Sequence, residues 1–278
     1  MIPKILTIAG SDAGGGAGIQ ADLKTFQEFN AFGISAITSV VTFNPDTLGS
    51  DVFLMPSESV DKQLITGFSA DHLAAIKIGM LGQTENIAQV AYYLQKHKPA
   101  HLVIDPVMAV KSTTDLFQSR NVADLVRRLF PLATVVTPNL IEAQVLAQMP
   151  AFNTLDQLKR AAKTIHDLGP KYVVIKGGSR FPGDQALDLL YDGTNFTMLT
   201  SPKLDTDTTH GAGCSFAATI TAGLANGLTV KQATYQAKDY VHVGIQQGVY
   251  LNKHVGYLWH GAYRNQLLKK ETESHDEY

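Results

Sequence analysis

The sequence holds one cysteine, Cys214, among 278 residues. A lone cysteine excludes an intrachain disulfide and any zinc centre assembled from several thiolates, and it suits a reducing compartment. No apolar run approaches the roughly 20 residues needed to span a bilayer. Met1-Ile2-Pro3-Lys4 does not read as the start of a signal peptide. Both observations point to a cytoplasmic protein. Neither sign of charge dominates: 23 Lys and Arg stand against 25 Asp and Glu, a formal net charge of −2. That removes any general attraction to nucleic acid or acidic membranes. Two common nucleotide signatures are missing as well. There is no G-x-x-x-x-G-K-[ST], and the glycine-rich loop near the start lacks the G-x-G-x-x-G spacing. With no repeats, low-complexity tract or linker, one domain is expected over residues 1–266, followed by a charged, disordered tail at 267–278.

What is present is ordinary for a globular chain, 45% hydrophobic and 17% charged, and long enough to bury a sizeable core. Short apolar or β-branched runs recur at residues 5–9, 34–43, 73–81, 101–104, 133–137 and 172–176. Between them lie stretches of helical period. Ile19, Leu23, Phe26 and Phe29 share one face of such a stretch, and residues 154–168 form another. Strands alternating with helices predict an α/β fold, with a mostly parallel central sheet and helices on both faces. Asp192-Gly193-Thr194-Asn195, between two strand-like runs, predicts an antiparallel hairpin.

The most informative stretch is Thr209-His210-Gly211-Ala212-Gly213-Cys214-Ser215, which runs into an alanine-rich segment closed by Gly227. A glycine turn at a helix start aims several backbone N–H groups at one point, at the positive end of the helix dipole, and so favours an anion. Cys214 stands at that point, where its thiol pKa is expected to be depressed. The plainer reading is tight helix packing with a small buried cysteine.

Four other places carry candidate chemistry. The loop Gly10-Ser11-Asp12-Ala13-Gly14-Gly15-Gly16-Ala17-Gly18 joins a strand to a helix and allows close approach of a small molecule, or is a flexible turn. Asp105 follows a buried strand, where open α/β sheets place ligand contacts and where turn acids also occur. Asn139 and Glu142 lie three apart at a helix start, as a simple cap or as a pair organising Mg²⁺ and its waters. Lys176 ends a strand beside Gly177-Gly178, which suits a phosphate contact or a surface turn. The polar segment 109–118 has the composition of a lid over a phosphoryl-transfer site.

Taken together, Ala9-Gly10-Ser11-Asp12 through Gly16-Ala17-Gly18-Ile19-Gln20-Ala21-Asp22, Lys77-Ile78-Gly79-Met80-Leu81, Asp105-Pro106-Val107-Met108, Thr137-Pro138-Asn139-Leu140-Ile141-Glu142-Ala143 and Thr209-His210-Gly211-Ala212-Gly213-Cys214 resemble the ribokinase superfamily. Within it they resemble the branch of hydroxymethylpyrimidine (phosphate) kinases and the related pyridoxal/pyridoxine kinases of Gram-positive type. The likeness runs in register from about residue 4 to about residue 256. It implies a ribokinase-like kinase, often dimeric, that uses ATP and Mg²⁺, in some cases with a monovalent cation, to phosphorylate a hydroxymethyl group on a nitrogen heterocycle. By the same resemblance, Gly211, Ala212, Gly213 and Cys214 form the anion hole. Cys214 takes the place of the catalytic aspartate of most relatives, a usual exchange in this branch. Asn139, Glu142, Lys176 and Gly213 meet ATP. Asp105 and Glu142 serve the metal, the latter through water. Asp12, Gly18, Phe43, Met80, Asp105 and Val107 line the substrate pocket. A Cys214 thiolate would accept the alcohol proton, or add to a pyridoxal aldehyde as a hemithioacetal.

Pyrimidine kinases of the branch carry Gln or Glu and then Asn after the second strand, where this chain has Phe43-Asn44-Pro45. A phenyl ring stacks on a heteroaromatic ring and cannot hydrogen-bond an aminopyrimidine. Leu251-Asn252-Lys253-His254-Val255-Gly256 also resembles the pyridoxal kinases. Pyridoxal, pyridoxine and pyridoxamine are therefore the expected substrates, with hydroxymethylpyrimidine the alternative. One departure stands out. Some of those pyridoxal kinases have a second cysteine in the lid, where this chain has Ala109-Val110-Lys111, so a two-cysteine mechanism is not expected and Lys111 is the candidate for closing over phosphate. A non-catalytic nucleotide or vitamer sensor is the competing class. It would be expected to lose Cys214, Lys176 or Glu142, and all three are present. A nicotinamide oxidoreductase fits less well, since no acid directly follows Phe43.

Overall fold

The computed structural model describes residues 1–47, 49–108 and 119–275. In chain order the elements are β1 (Lys4–Asp12), α1 (Gly18–Glu28), β2 (Phe32–Phe43), β3 (Ser50–Leu54), α2 (Ser57–Phe68), β4 (Leu73–Ile78), α3 (Thr84–His97) and β5 (Leu102–Ile104). They continue with α4 (Ser119–Leu129), β6 (Val135–Val136), α5 (Leu140–Ala147), α6 (Leu155–His166), β7 (Tyr172–Gly178), β8 (Gln185–Tyr191) and β9 (Phe196–Pro202). The chain closes with α7 (Ala212–Ala225), α8 (Val230–Gln246), β10 (Val249–Asn252), β11 (Val255–Tyr257) and α9 (Ala262–His275).

The sheet has nine strands in the order β3-β2-β1-β4-β5-β6-β7-β8-β9. The six from β2 to β7 pair in parallel, and β3, β8 and β9 are antiparallel additions at the two edges. The pleat assigns alternate residues to opposite faces. Leu6 and Ile8 join a core under α2 to α6, while Ile5 packs with Phe26 of α1 and with Ala218 and Ala222 of α7. Val103, Val135 and Val174 meet α7 and α8. A strand buried on both faces needs apolar residues throughout, which is why these runs lack polar–apolar alternation. Helices are fixed at their starts as well: Thr154 with Gln157, and Thr229 with Gln232, form capping boxes at α6 and α8.

Parallel strands place their C-terminal ends at one edge. Asp12 and Phe43 end β1 and β2, Met80 follows β4, Asp105 follows β5, Asn139 follows β6, and Lys176 lies late in β7. The hairpin expected around Asp192-Gly193 is present as β8 and β9. The chain end departs from expectation. The charged segment read as a tail from residue 267 is helical backbone as far as His275, because α9 begins at Ala262 and runs straight through. The segment 109–118, expected as a lid and including Lys111, lies outside the described residues.

Candidate active site

The site is built on the first turn of α7. Gly211, its N-cap, has φ of +84°, a left-handed conformation that glycine adopts without strain. Its carbonyl oxygen accepts from the N–H of Ser215 at 2.9 Å, closing the first helical bond, while Ala212 N–H turns back to Thr209 O at 3.2 Å. Gly213 and Cys214 follow as first-turn residues, whose N–H groups have no partner within a helix. A Cβ on Gly213 would stand 3.4 Å from Lys176 Nζ and 4.0 Å from Asp105 Oδ2. The positive helix end, a lysine ammonium and a carboxylate therefore meet at one point.

Lys176 reaches this point from β7 and donates to Asp105 Oδ1 at 2.5 Å; Thr137 Oγ1 donates to the same oxygen at 3.2 Å. Burial disfavours the Lys176 ammonium, but Asp105 and then Glu142 outweigh it and raise its pKa above the ordinary lysine value. Beside them Asn139 caps α5. Its Oδ1 accepts from the N–H groups of Ile141 and Glu142, and Glu142 Oε2 accepts from Asn139 N–H at 2.8 Å. The capping reading of these residues is the one the geometry displays, with both halves of a capping box in place. Burial pushes Glu142 up to about 7, against the pull of Lys176. The donors here are carboxylate and amide oxygens, the chemistry Mg²⁺ takes, usually with several waters retained. Among the described residues no three His, Cys, Asp or Glu side chains cluster so as to hold a metal alone.

The glycine loop is held from several sides. Asp12 accepts from Gly14 N–H at 2.9 Å, Gly16 N–H at 3.1 Å and Ala17 N–H at 2.8 Å. Its Oδ2 lies 3.3 Å from His210 Nε2. Burial would raise the Asp12 pKa, but His210 and the loop N–H groups outweigh it and hold the carboxyl below its ordinary value. Lys24 Nζ donates to Gly15 O at 2.7 Å. Tyr257 of β11 lies against Gly14 and Gly16, where any Cβ would collide with its ring, and packs edge-on against His210 with centroids 5.0 Å apart. The reading of this loop as a flexible turn is thus replaced by a braced one. Asp12, expected to line the substrate pocket, has its carboxylate turned to the loop.

Gly18 has φ of +56°, and a Cβ there would run into Gly10 O. Met80 is buried, its carbonyl accepts from Thr38 Oγ1 at 2.6 Å, and its Cε would stand 2.7 Å from a Cβ on Gly10. Val107 N–H donates to Asp105 O at 2.8 Å, so Val107 sits in the tight turn after β5. Phe43, half-buried at the end of β2, pairs with Ser50 of β3.

Cys214 is partly buried. The expected lowering of its pKa is overturned: burial pushes the thiol up to about 11, with Asp105 and Asp22 adding to the rise, while Lys77 and the Gly18 N–H oppose it. The favourable helix end does not compensate for desolvation next to two carboxylates.

The sequence reading passed over residues beneath the site. Lys77 and Asp22 are fully buried and paired at 2.7 and 2.9 Å, with Thr7 Oγ1 donating to Asp22 Oδ2 at 2.6 Å. A lysine inside the apolar run Leu73-Ala74-Ala75-Ile76-Lys77-Ile78 was the available signal. Ser215, Tyr257 and His260 gave none, since each reads as an ordinary helix, strand or loop residue.

Comparison with known proteins gives the family. The Phosphomethylpyrimidine kinase family model matches residues 12–259. The pyridoxine kinase of Bacillus subtilis strain 168 is 44% identical over 262 residues, covering 94% of this chain and 97% of that protein. A hydroxymethylpyrimidine/phosphomethylpyrimidine kinase of Haemophilus influenzae is 42% identical over 267 residues, covering 94% and 98%. The structure of the Staphylococcus aureus pyridoxal kinase in complex with AMP-PCP and pyridoxal superposes with a TM-score of 0.89 at 42% identity, covering 95% of each chain. With its mostly parallel ribokinase-like sheet and a family match over most of its length, the chain belongs to the phosphomethylpyrimidine kinase family.

Proposed function

We propose that the chain is an ATP-dependent pyridoxal kinase, transferring a phosphoryl group to the 5′-hydroxymethyl of pyridoxal, pyridoxine or pyridoxamine in vitamin B6 salvage. The observation that carries this reading is the meeting of the α7 N-terminus with the Lys176–Asp105 pair at Gly213. Phosphoryl transfer depends on positioning and charge stabilisation more than on covalent chemistry. The N–H groups of Gly213 and Cys214 receive the developing charge of the transferring group, and Lys176 adds its ammonium. Cys214 accepts the alcohol proton. Because burial holds its pKa at about 11, the thiolate is the minor form near neutrality.

Asn139, Glu142, Lys176 and Gly213 make up the ATP contacts in this reading. Gly18, Phe43, Met80, Asp105 and Val107 line the vitamer pocket, with Asp12 shaping it through the loop. Asp105 and Glu142 would hold Mg²⁺, the latter through water, where it would neutralise phosphate charge; a monovalent cation is a further candidate. A homodimer is supported by Phe53 and Leu54, which stand 59% and 47% exposed on the edge strand β3. A cytoplasmic location fits a chain in which, among the described residues, no helix is long and apolar enough to cross a membrane.

The second reading is hydroxymethylpyrimidine or its phosphate as substrate, favoured by the description of the family model itself. Phe43 argues against it, since its ring offers stacking and no hydrogen bond. Incubation with Mg-ATP and each candidate, followed by mass spectrometry, decides between them. The proposal expects pyridoxal to gain one phosphoryl group; phosphorylation of hydroxymethylpyrimidine alone would overturn it.

A further inference from the structure

Behind the anion-binding turn lies a buried polar chain that none of the steps above uses. Ser215 is fully buried, and its Oγ stands 2.9 Å from Gly211 O and 3.0 Å from His260 Nε2. A hydroxyl has one proton, and a carbonyl oxygen can only accept. The Ser215 proton therefore goes to Gly211 O, which leaves His260 Nε2 as the donor to Ser215 Oγ. Gly211 O then accepts both the N–H and the O–H of Ser215, each at 2.9 Å. His260 is itself 5% exposed, and its own carbonyl accepts from Tyr240 Oη at 3.0 Å. The preceding Trp259 N–H donates to Gly244 O at 3.0 Å. The backbone that carries the ring is thus anchored to α8 at two points.

We infer that His260 is a positioning residue of the anion-binding turn, acting through Ser215 to fix the Gly211 carbonyl and, with it, the aim of the N–H groups of Gly213 and Cys214. This rests on the kinase reading of that turn. The link is directional. A peptide unit is planar, so a Gly211 carbonyl held by two donors sets the orientation of the whole Gly211–Ala212 unit. The residues that follow inherit that orientation as the helix opens. Gly211 needs such support because its glycine backbone has more freedom than any other residue would have there. Burial, with the nearby Lys24 ammonium, pushes the His260 pKa down to about 4, so the ring is neutral at physiological pH and carries a single N–H. That N–H is accounted for by Ser215.

Three measurements test the inference together. Long-range proton–nitrogen NMR of the intact protein should find His260 neutral with its proton on Nε2. Backbone amide spectra titrated with inorganic phosphate should show the Gly213 and Cys214 signals responding in wild type, displaced and less responsive in His260→Leu, and largely restored in His260→Gln, whose amide can donate from a similar position. With pyridoxal, His260→Leu should lower kcat by roughly 10- to 100-fold while KM for pyridoxal stays within about threefold, the pattern of a misplaced catalytic group. The double variant Ser215→Ala/His260→Leu should be no worse than Ser215→Ala alone, because both changes break one chain. A proton on Nδ1, unchanged Gly213 and Cys214 signals in His260→Leu, or losses that multiply in the double variant would each overturn the inference. Should wild type leave pyridoxal unphosphorylated, the kinase reading fails, and the tautomer and phosphate titration still decide the role of His260. If His260→Leu does not fold, the tautomer and the Ser215→Ala amide spectra carry the test.

Discussion

The carbonyl oxygen of Gly16 occupies the space that a Cβ on Gly211 would need. The glycine loop after β1 and the glycine turn before α7, nearly two hundred residues apart, are packed backbone to backbone. Each therefore fixes the shape of the other. Replacing Gly211 by alanine adds a collision to a φ of +84°, and a non-glycine residue held there costs about 1–3 kcal/mol. Gly211→Ala is expected to lower the midpoint of urea unfolding and to depress kcat strongly. A variant with wild-type stability and turnover would show that the two loops do not brace each other.

Cys214 titrates high, at about 11. Alkylation of the free protein by iodoacetamide should be slow at pH 7 and accelerate without levelling up to pH 9. If the thiolate is the base, kcat should rise over the same range, and Cys214→Ala should lower kcat by roughly 10²- to 10⁴-fold and lose the pH slope. An alkylation midpoint below pH 8, or a kcat independent of pH in wild type, would contradict this assignment.

Lys176 and Asp105 separate stability from catalysis. Lys176→Met leaves the Asp105 carboxylate buried without its partner and is expected to cost about 3 kcal/mol, together with at least roughly 100-fold in kcat. Adding Asp105→Asn removes the unpaired charge. Denaturant unfolding should recover in the double variant, while turnover should not. Recovery of both would show that Lys176 acts only as a structural counter-ion.

Glu142 gives a pH signature of definite sign. Its carboxyl titrates at about 7 in the folded chain against 4.5 for an unperturbed group, so the folded state holds the proton through that window while the unfolded state has lost it. Stability contributed by this group therefore falls as pH rises from about 4.5 to about 7. Glu142→Gln keeps an acceptor for Asn139 N–H and removes the titration. Unfolding at pH 5 and pH 7.5 should show the variant losing less stability than wild type across the interval. An equal loss in both proteins would place the Glu142 pKa near its ordinary value.

Much of the fold is legible in the sequence. The apolar runs that became β1, β4, β5 and β7 are buried on both faces, and such strands announce themselves by composition. Asp105 stands out because it follows a buried strand, where a parallel sheet puts ligand contacts, and Lys176 because it ends a strand beside two glycines. What stayed hidden depends on distant packing. The β10–β11 hairpin has strands of four and three residues, too short for a period, yet it delivers Tyr257 to the glycine loop. The Cys214 pKa went the other way because a helix start is local and visible, whereas desolvation and the buried carboxylates of Asp22 and Asp105 come from α1 and from the turn after β5. His260 shows no pattern at all, since its meaning lies in a hydrogen bond to Ser215, 45 residues away.

ADP release from Mg-ATP, with pyridoxal, pyridoxine and hydroxymethylpyrimidine offered in turn to wild type and to Cys214→Ala, reads substrate choice and the role of the thiol together. Turnover on the two B6 vitamers should lie well above that on hydroxymethylpyrimidine and be nearly lost in the variant. Turnover confined to hydroxymethylpyrimidine would contradict the proposed substrate, and undiminished turnover in Cys214→Ala the proposed role of the thiol.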